Sequence, residues 1–363
     1  MEVGAILILE GEVGTAESRV PGKTGTHSLS GSFLPGAVAL TEVLGSSLLE
    51  HTIQRFVAAG TRTIAVVLHK GVPVSSIRLR RHIAHLRLYE ADETWSAVIP
   101  ILKEFAKDGI SGAIVMKPHT YCEPDITDLW DFHSEGHRPV TRACDAAGPM
   151  DLWVADCDVA GQGNAEFLKA ALLEPDLPQG SYFVRDYVRR ITQPADFRQL
   201  VKDAFHARCN LHPIGEQLRT GIWMDEGAQV RRGARIVGPA YIGRHCVVGE
   251  CTLITRSSNV ETGSYIDYGT AIEDSTVFSD TYVGMWLDVR HSLVSANKLL
   301  HLQRGVTLEI SDASLLCSNA PAVKKAVRSP ETTNSELPAN SVRDVSALAK
   351  SRQLKESTGL NSD

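Results

Sequence analysis

MDEGAQ-VRRGAR-IVGPAY-IGRHCV-VGECTL-ITRSSN-VETGSY-IDYGTA, residues 224–271, repeats every six positions. The first position is always aliphatic, and after Met224 it is β-branched: Val230, Ile236, Ile242, Val248, Ile254, Val260, Ile266 and then Ile272. The fifth is always small, from Ala228, Ala234 and Ala240 through Cys246, Thr252, Ser258, Ser264 and Thr270. A helix cannot keep one face apolar with a period of six. A three-sided coil can, with one aliphatic residue pointing inward from each short strand and a small residue tucked beside each turn. Stacked coils pair through parallel β hydrogen bonds, and each buries its neighbour's apolar face. The stretch therefore predicts a left-handed parallel β-helix built from hexapeptide repeats. One residue is deleted before Val277, after which Val283 and Val289 resume the series with Thr276 and Thr281 at the small position. Leu287 breaks the small-residue rule, so the regular coils are expected to end near 289–294. The segment KLLHLQRGVTLEI (298–310) is expected to fold back as a cover.

Upstream, the hydrophobic pattern alternates between strand and helix. AILIL (5–9), TIAVVL (63–68) and GAIVM (112–116) are apolar runs of strand length, as strands buried on both faces should be. Between the first two, Ser46 or Ser47 can cap a helix with Leu49, Ile53, Phe56 and Val57 on one face and Gly60 past its end. Val98, Ile101, Leu102 and Phe105 mark a second helix containing Pro100, and Glu123 and Asp125 are placed to begin a third. Short strands at 140–144 and 152–155 and a helix near 195–205 complete a doubly wound α/β domain over 1–215. The β-helix occupies 216–320. Residues 321–363, rich in Thr, Ser, Asn, Pro and charges of both signs, are expected to be a mostly disordered tail. Within it SVRD (341–344) has the form of a capping box that would start one short helix before Leu354.

Composition narrows the function. With 37 basic and 43 acidic residues the formal charge is −6, and no basic patch interrupts it, which argues against nucleic acid as a partner. No apolar run approaches the ~20 residues of a spanning helix. AILIL lacks a basic flank and is followed by Glu10, so neither a membrane span nor a signal peptide is expected. Seven cysteines, without a C-x-x-C pair, fit reduced thiols in a cytoplasmic protein.

VLGSSLLEHTIQRFVAAG (43–60) and GPAYIG (238–243), within the order doubly wound domain then hexapeptide coils, resemble the sugar-phosphate nucleotidyltransferases, particularly bacterial mannose-1-phosphate guanylyltransferase-like proteins. The likeness covers roughly 3–317. It implies a nucleotidyltransferase-like α/β domain joining a nucleoside triphosphate to a sugar 1-phosphate, with Mg²⁺ bridging phosphate oxygens and pyrophosphate leaving. The family's A-G-G-x-G-T-R-L loop corresponds here to EGEVGTAE (10–17), where Gly11, Gly14 and Thr15 match as nucleotide-binding residues. Glu12 stands for a glycine, Ala16 for the arginine, and Glu17 follows. Each added carboxylate at about 4 Å from a phosphate charge costs about 4 kcal/mol at an effective dielectric near 20. The family's P-K-P lysine has no counterpart in LPGAVA (34–39), although Lys23 lies upstream. Its metal aspartate has none in MKPHT (116–120), where His119 is a poor ligand for Mg²⁺.

Loss of these three elements predicts a protein with little or no transferase activity and no confidently assigned catalytic residue or metal ligand. It would bind a sugar nucleotide or sugar phosphate, or act as a regulatory or scaffold subunit. It would assemble as a homo-oligomer or with a paralogous subunit through the β-helix. Two alternatives stand beside this reading. One is an active sugar-1-phosphate nucleotidyltransferase using Mg²⁺. The other is a hexapeptide-repeat acyltransferase, for which His245, His291 and His301 are the candidate bases.

Overall fold

The structure, a computed structural model, describes residues 3–9, 38–70, 85–158 and 181–320, six single positions between 71 and 84, and the backbone of 343–344. Four strands form the parallel part of the main sheet: β1 Val3–Leu9, β2 Thr63–His69, β3 Leu86–Ala91 and β4 Gly112–Met116. They lie in the order β4-β1-β2-β3. Two further strands, following β5 Thr120–Cys122, extend it: β6 Val140–Asp145 and β7 Gly148–Asp156 form an antiparallel hairpin, with β7 against β4. β8 Tyr182–Phe183 pairs with the outer edge of β6, while β9 Val188–Arg190 pairs with β5 apart from the sheet.

Helices cover both faces, so the alternation read from the sequence produces mixed α/β layers. α1 Leu48–Ala58 and α3 Ile126–Glu135 bury Leu49, Ile53, Phe56, Ile126 and Leu129 with Ala5, Leu7 and Leu9 of β1. α2 Thr94–Lys107 buries Val98, Ile101, Leu102 and Phe105 with Ile6 and Ile8 on the opposite face, and accommodates Pro100. Ser47 caps α1, its Oγ accepting from Glu50 N–H at 3.1 Å. Ser47→Ala is expected to lower the unfolding free energy by about 1 kcal/mol, measured as a shift of the urea midpoint. Val57, expected on the apolar face, is instead 49% exposed. It sits in the last turn, one position round from Phe56, where the stripe has rotated off the sheet.

The hexads form three parallel sheets. Ile242 pairs with Val260, Val248 with Ile266 and Ile254 with Ile272, each eighteen residues apart, so three hexads make one circuit as a parallel β-helix requires. Past the deletion Val260 pairs with Val277, and the three-sheet pattern continues. The first-position side chains from Ile242 to Val283 are fully buried in one apolar column. The fifth-position hydroxyls of Ser258, Ser264 and Thr270 bridge coils, whereas that of Thr252 turns back to Gly249 O in its own coil. Ser264 Oγ donates to Phe278 O at 2.8 Å and accepts from Thr281 N–H at 3.2 Å, and Thr270 Oγ1 does the same with Gly284 O and Leu287 N–H. Burial in so narrow a space, with a stranded backbone pair to satisfy, selects Ser and Thr there.

The fourth position turns the corner in the left-handed backbone region. Gly263 (φ 72°) and Gly269 (φ 69°) enter it without cost, but Cys251 (57°), Asp280 (53°) and Trp286 (57°) occupy the same seat. The last parallel strand is Ser292–Ser295. The 298–310 segment then folds back as an antiparallel hairpin, Lys298–His301 and Val306–Glu309, on that strand.

α4 Pro194–Phe205 joins the two regions. Its Phe197, Leu200 and Val201 pack with Val43, Leu44 and Leu48 and with Tyr241, Phe278 and Leu293 of the coils. In the tail, Arg343–Asp344 is extended and pairs antiparallel with Arg87 and Leu88 of β3, which corrects the helix start expected at 341–344. An unpaired edge strand competes for that backbone more effectively than an isolated helix nucleus does. The expected tail disorder and the rest of that helix lie outside the described residues.

Candidate functional site

Ligands of open α/β sheets bind beyond the carboxyl ends of the parallel strands. β1 ends there at Leu9, and its neighbour β4, in register Leu7↔Met116, continues into Lys117-Pro118-His119. β7 returns antiparallel beside it, and Lys117 N–H donates to the Asp151 carbonyl at 3.0 Å. The backbone pairing thus brings the Asp151 side chain to the same end of the sheet.

Two basic side chains contact that carboxylate, and the charge of a third, Lys117, reaches it. His119 Nε2 lies 3.1 Å from Asp151 Oδ2, and an Arg142 terminal nitrogen lies 3.8 Å from Oδ1. Arg142 also donates through Nε to Met150 O at 3.1 Å, and its guanidinium sits 5.2 Å from the Trp153 ring centroid. Lys117 Nζ lies 5.2 Å from the ring centroid of Trp95, which meets Trp153 edge-on at 5.2 Å. Two indoles therefore seat two cations, an arrangement that orients the charges and limits their freedom. The His119 hydrogen bond, with the charges of Lys117 and Arg142, holds the Asp151 carboxyl below the usual carboxylate range against its partial burial. His119 and Asp151 keep 46% and 34% of their side-chain surface exposed, so the cluster is open to solute.

This donor set does not fit Mg²⁺, which needs several oxygen ligands in near-octahedral array. Both oxygens of Asp151 face basic groups, and a dication would be repelled by the same Lys117 and Arg142 that hold the carboxylate. Among the described residues no group of three or more His, Cys, Asp or Glu is placed to hold a metal ion.

Gly11, Gly14 and Thr15, with Glu12, Ala16, Glu17 and Lys23, lie outside the described residues. Glu123, expected at a helix start, is instead buried between β5 and residue 210. It accepts from Tyr121 Oη (2.7 Å), Asn210 N–H (2.6 Å) and Asn210 Nδ2 (2.9 Å). Asp125 does begin a helix, capping α3 through the N–H groups of Thr127 and Asp128. The three candidate histidines are not brought together. His245 is an exposed corner residue, His291 pairs with Asp274 at 2.7 Å on another corner, and His301 lies in the fold-back hairpin.

Residues 43–60 and 238–243 meet at the junction of sheet and coils. Gly45 adopts φ 99°, and a Cβ there would fall 2.2 Å from the Tyr241 hydroxyl. Beside it the buried Glu261 carboxylate accepts from Leu44 N–H (2.8 Å), Gly45 N–H (3.0 Å) and Asn259 Nδ2 (2.6 Å), while Arg80 pairs with Asp225. A scan against protein-family models and a search of curated proteins return no match to this chain. No helix among the described residues is long and apolar enough to cross a membrane.

Proposed function

We propose that the chain is a nucleotidyltransferase-like, sugar-nucleotide-binding protein that does not transfer nucleotidyl groups and serves as a regulatory or scaffold subunit. Its coils, on this reading, wind left-handed, for which the six-residue period with β-branched first positions is the support. The observation that carries the reading is the charge at the end of β4, where His119 and Arg142 contact Asp151 and Lys117 adds its charge, in place of a free metal-binding carboxylate. Nucleotidyl transfer depends on metal-assisted charge stabilisation and positioning, so that exchange removes catalysis while leaving groups that attract phosphate.

The scaffold role is supported by one corner of the coils, where Met285 and Trp286 are 56% and 71% exposed beside Tyr268. Aromatic and Met side chains presented this way are characteristic of protein contacts, here with a second copy or a paralogous subunit. Seven free cysteines are in keeping with a cytoplasmic setting.

The test is pyrophosphate release from GTP or dTTP with mannose 1-phosphate or glucose 1-phosphate and Mg²⁺, alongside calorimetric titration with GDP-mannose. The expected outcome is heat of binding with no pyrophosphate above the protein-free control. Sustained turnover overturns the reading in favour of an active transferase.

A further inference from the structure

We propose that Lys117, His119 and Arg142 form a phosphate subsite that works without a divalent cation. The inference rests on the sugar-nucleotide reading above and specifies how such a ligand is held. Three observations converge on it.

The cluster stands where the sheet topology places ligands, at the carboxyl end of β4 and one strand from the end of β1. Asp151 already shows what the position stabilises, because one carboxylate there collects contacts from a histidine and an arginine and feels the charge of Lys117. A ligand phosphate carries the same kind of oxygen at higher charge and can share those donors, the two fixed positive charges of Lys117 and Arg142 offsetting its repulsion by the single Asp151 carboxylate. The donors are also held in place beforehand. Lys117 rests against Trp95, Arg142 rests against Trp153, and the two indoles brace each other.

The positive charge that Mg²⁺ would bring is thus built into the side chains. The fork of Arg142 suits two phosphate oxygens, and Lys117 acts as a point charge. A metal would be repelled by Lys117 and Arg142 and would find the Asp151 carboxylate already engaged by His119 and Arg142.

The experiment is isothermal titration of the full chain with GDP-mannose and, separately, with inorganic pyrophosphate, each in Mg²⁺ buffer and in excess EDTA. The expected result is binding whose Kd agrees within about twofold between the two buffers. Lys117→Met is expected to weaken both probes about tenfold, and Lys117→Arg to restore most of that loss. A thermal unfolding scan of each variant separates lost binding from lost folding, and the Lys117→Arg comparison holds even if the methionine variant is unstable. Binding seen only with Mg²⁺ overturns the metal-free subsite and leaves the sugar-nucleotide reading standing. Metal-independent binding that Lys117→Met leaves unchanged in a folded protein overturns the assignment of these residues. Absence of binding by either probe in either buffer overturns both the subsite and the reading on which it rests.

Discussion

Glu261→Ala is expected to destabilise the protein by about 3–5 kcal/mol, because three buried donors lose their acceptor at once. Those donors are Leu44 N–H, Gly45 N–H and Asn259 Nδ2, and Glu261 itself has no exposed surface. Burial, followed by the nearby Glu42 carboxylate, pushes the Glu261 carboxyl up to about 7, while the three donors pull the other way. The sign of the pH dependence follows from this. In the unfolded chain the group titrates near its ordinary value, so between that value and about 7 the native state binds the extra proton. The contribution of Glu261 is fully present below the ordinary carboxylate value and is lost as pH rises through about 7. At about 1.4 kcal/mol per pH unit, the total is on the order of 3 kcal/mol. Glu261→Gln keeps one oxygen for Leu44 and Asn259 but presents an amide to Gly45 N–H. That variant is expected to be less stable than the native protein near pH 5 and at least as stable near pH 8. Urea midpoints recorded across this range test the crossing, and parallel curves for the two proteins would remove Glu261 as its source.

Arg198→Met should cost about 3–5 kcal/mol at the second contact between the α/β region and the coils. Only 3% of Arg198 is exposed, and its guanidinium donates to Ser257 O at 2.6 Å, Asp274 Oδ1 at 3.0 Å and Asn259 Oδ1 at 3.3 Å. Burial lowers its pKa to about 10, so it remains charged at neutral pH. Methionine fills the volume but strands the Ser257 carbonyl and leaves the Asp274 carboxylate to Lys202 and His291. Arg198→Lys retains the charge without the planar fork and is expected to recover less than half of the loss. Thermal unfolding of the three proteins at one pH orders them, and equal midpoints for arginine and methionine would show that the network is not stabilising.

The coils were legible because a six-residue period has no competing explanation and each first-position residue meets one inward-facing site. The corner position was not, since the backbone requires a left-handed conformation there but glycine supplies it only part of the time. His245, Cys251, Asp280 and Trp286 fill the seat elsewhere, so no single residue type marks it. Strand β3 is not a continuous apolar run. In its sequence LRLYEA only Leu86 and Leu88 are buried, while Arg87 turns outward to Glu104 and Asp108. The candidate site was half visible. Lys117 and His119 stand in plain view after an apolar strand, but Arg142 and Asp151 join them only through the β6–β7 hairpin, a long-range pairing that local pattern does not encode.

The hydroxyl bridges have a direction. Ala228, Ala234 and Ala240 have no side-chain donor, whereas Ser258, Ser264 and Thr270 each tie one turn of the solenoid to the next. The leading edge is also where Val230 and Val237 are 38% and 45% exposed. The solenoid is accordingly a zipper missing its teeth at one end. Fraying is expected to begin in the alanine-bearing hexads and to slow from Cys246, whose Sγ reaches Glu261 O of the next coil, so amide protons should exchange in that order well before the whole chain opens.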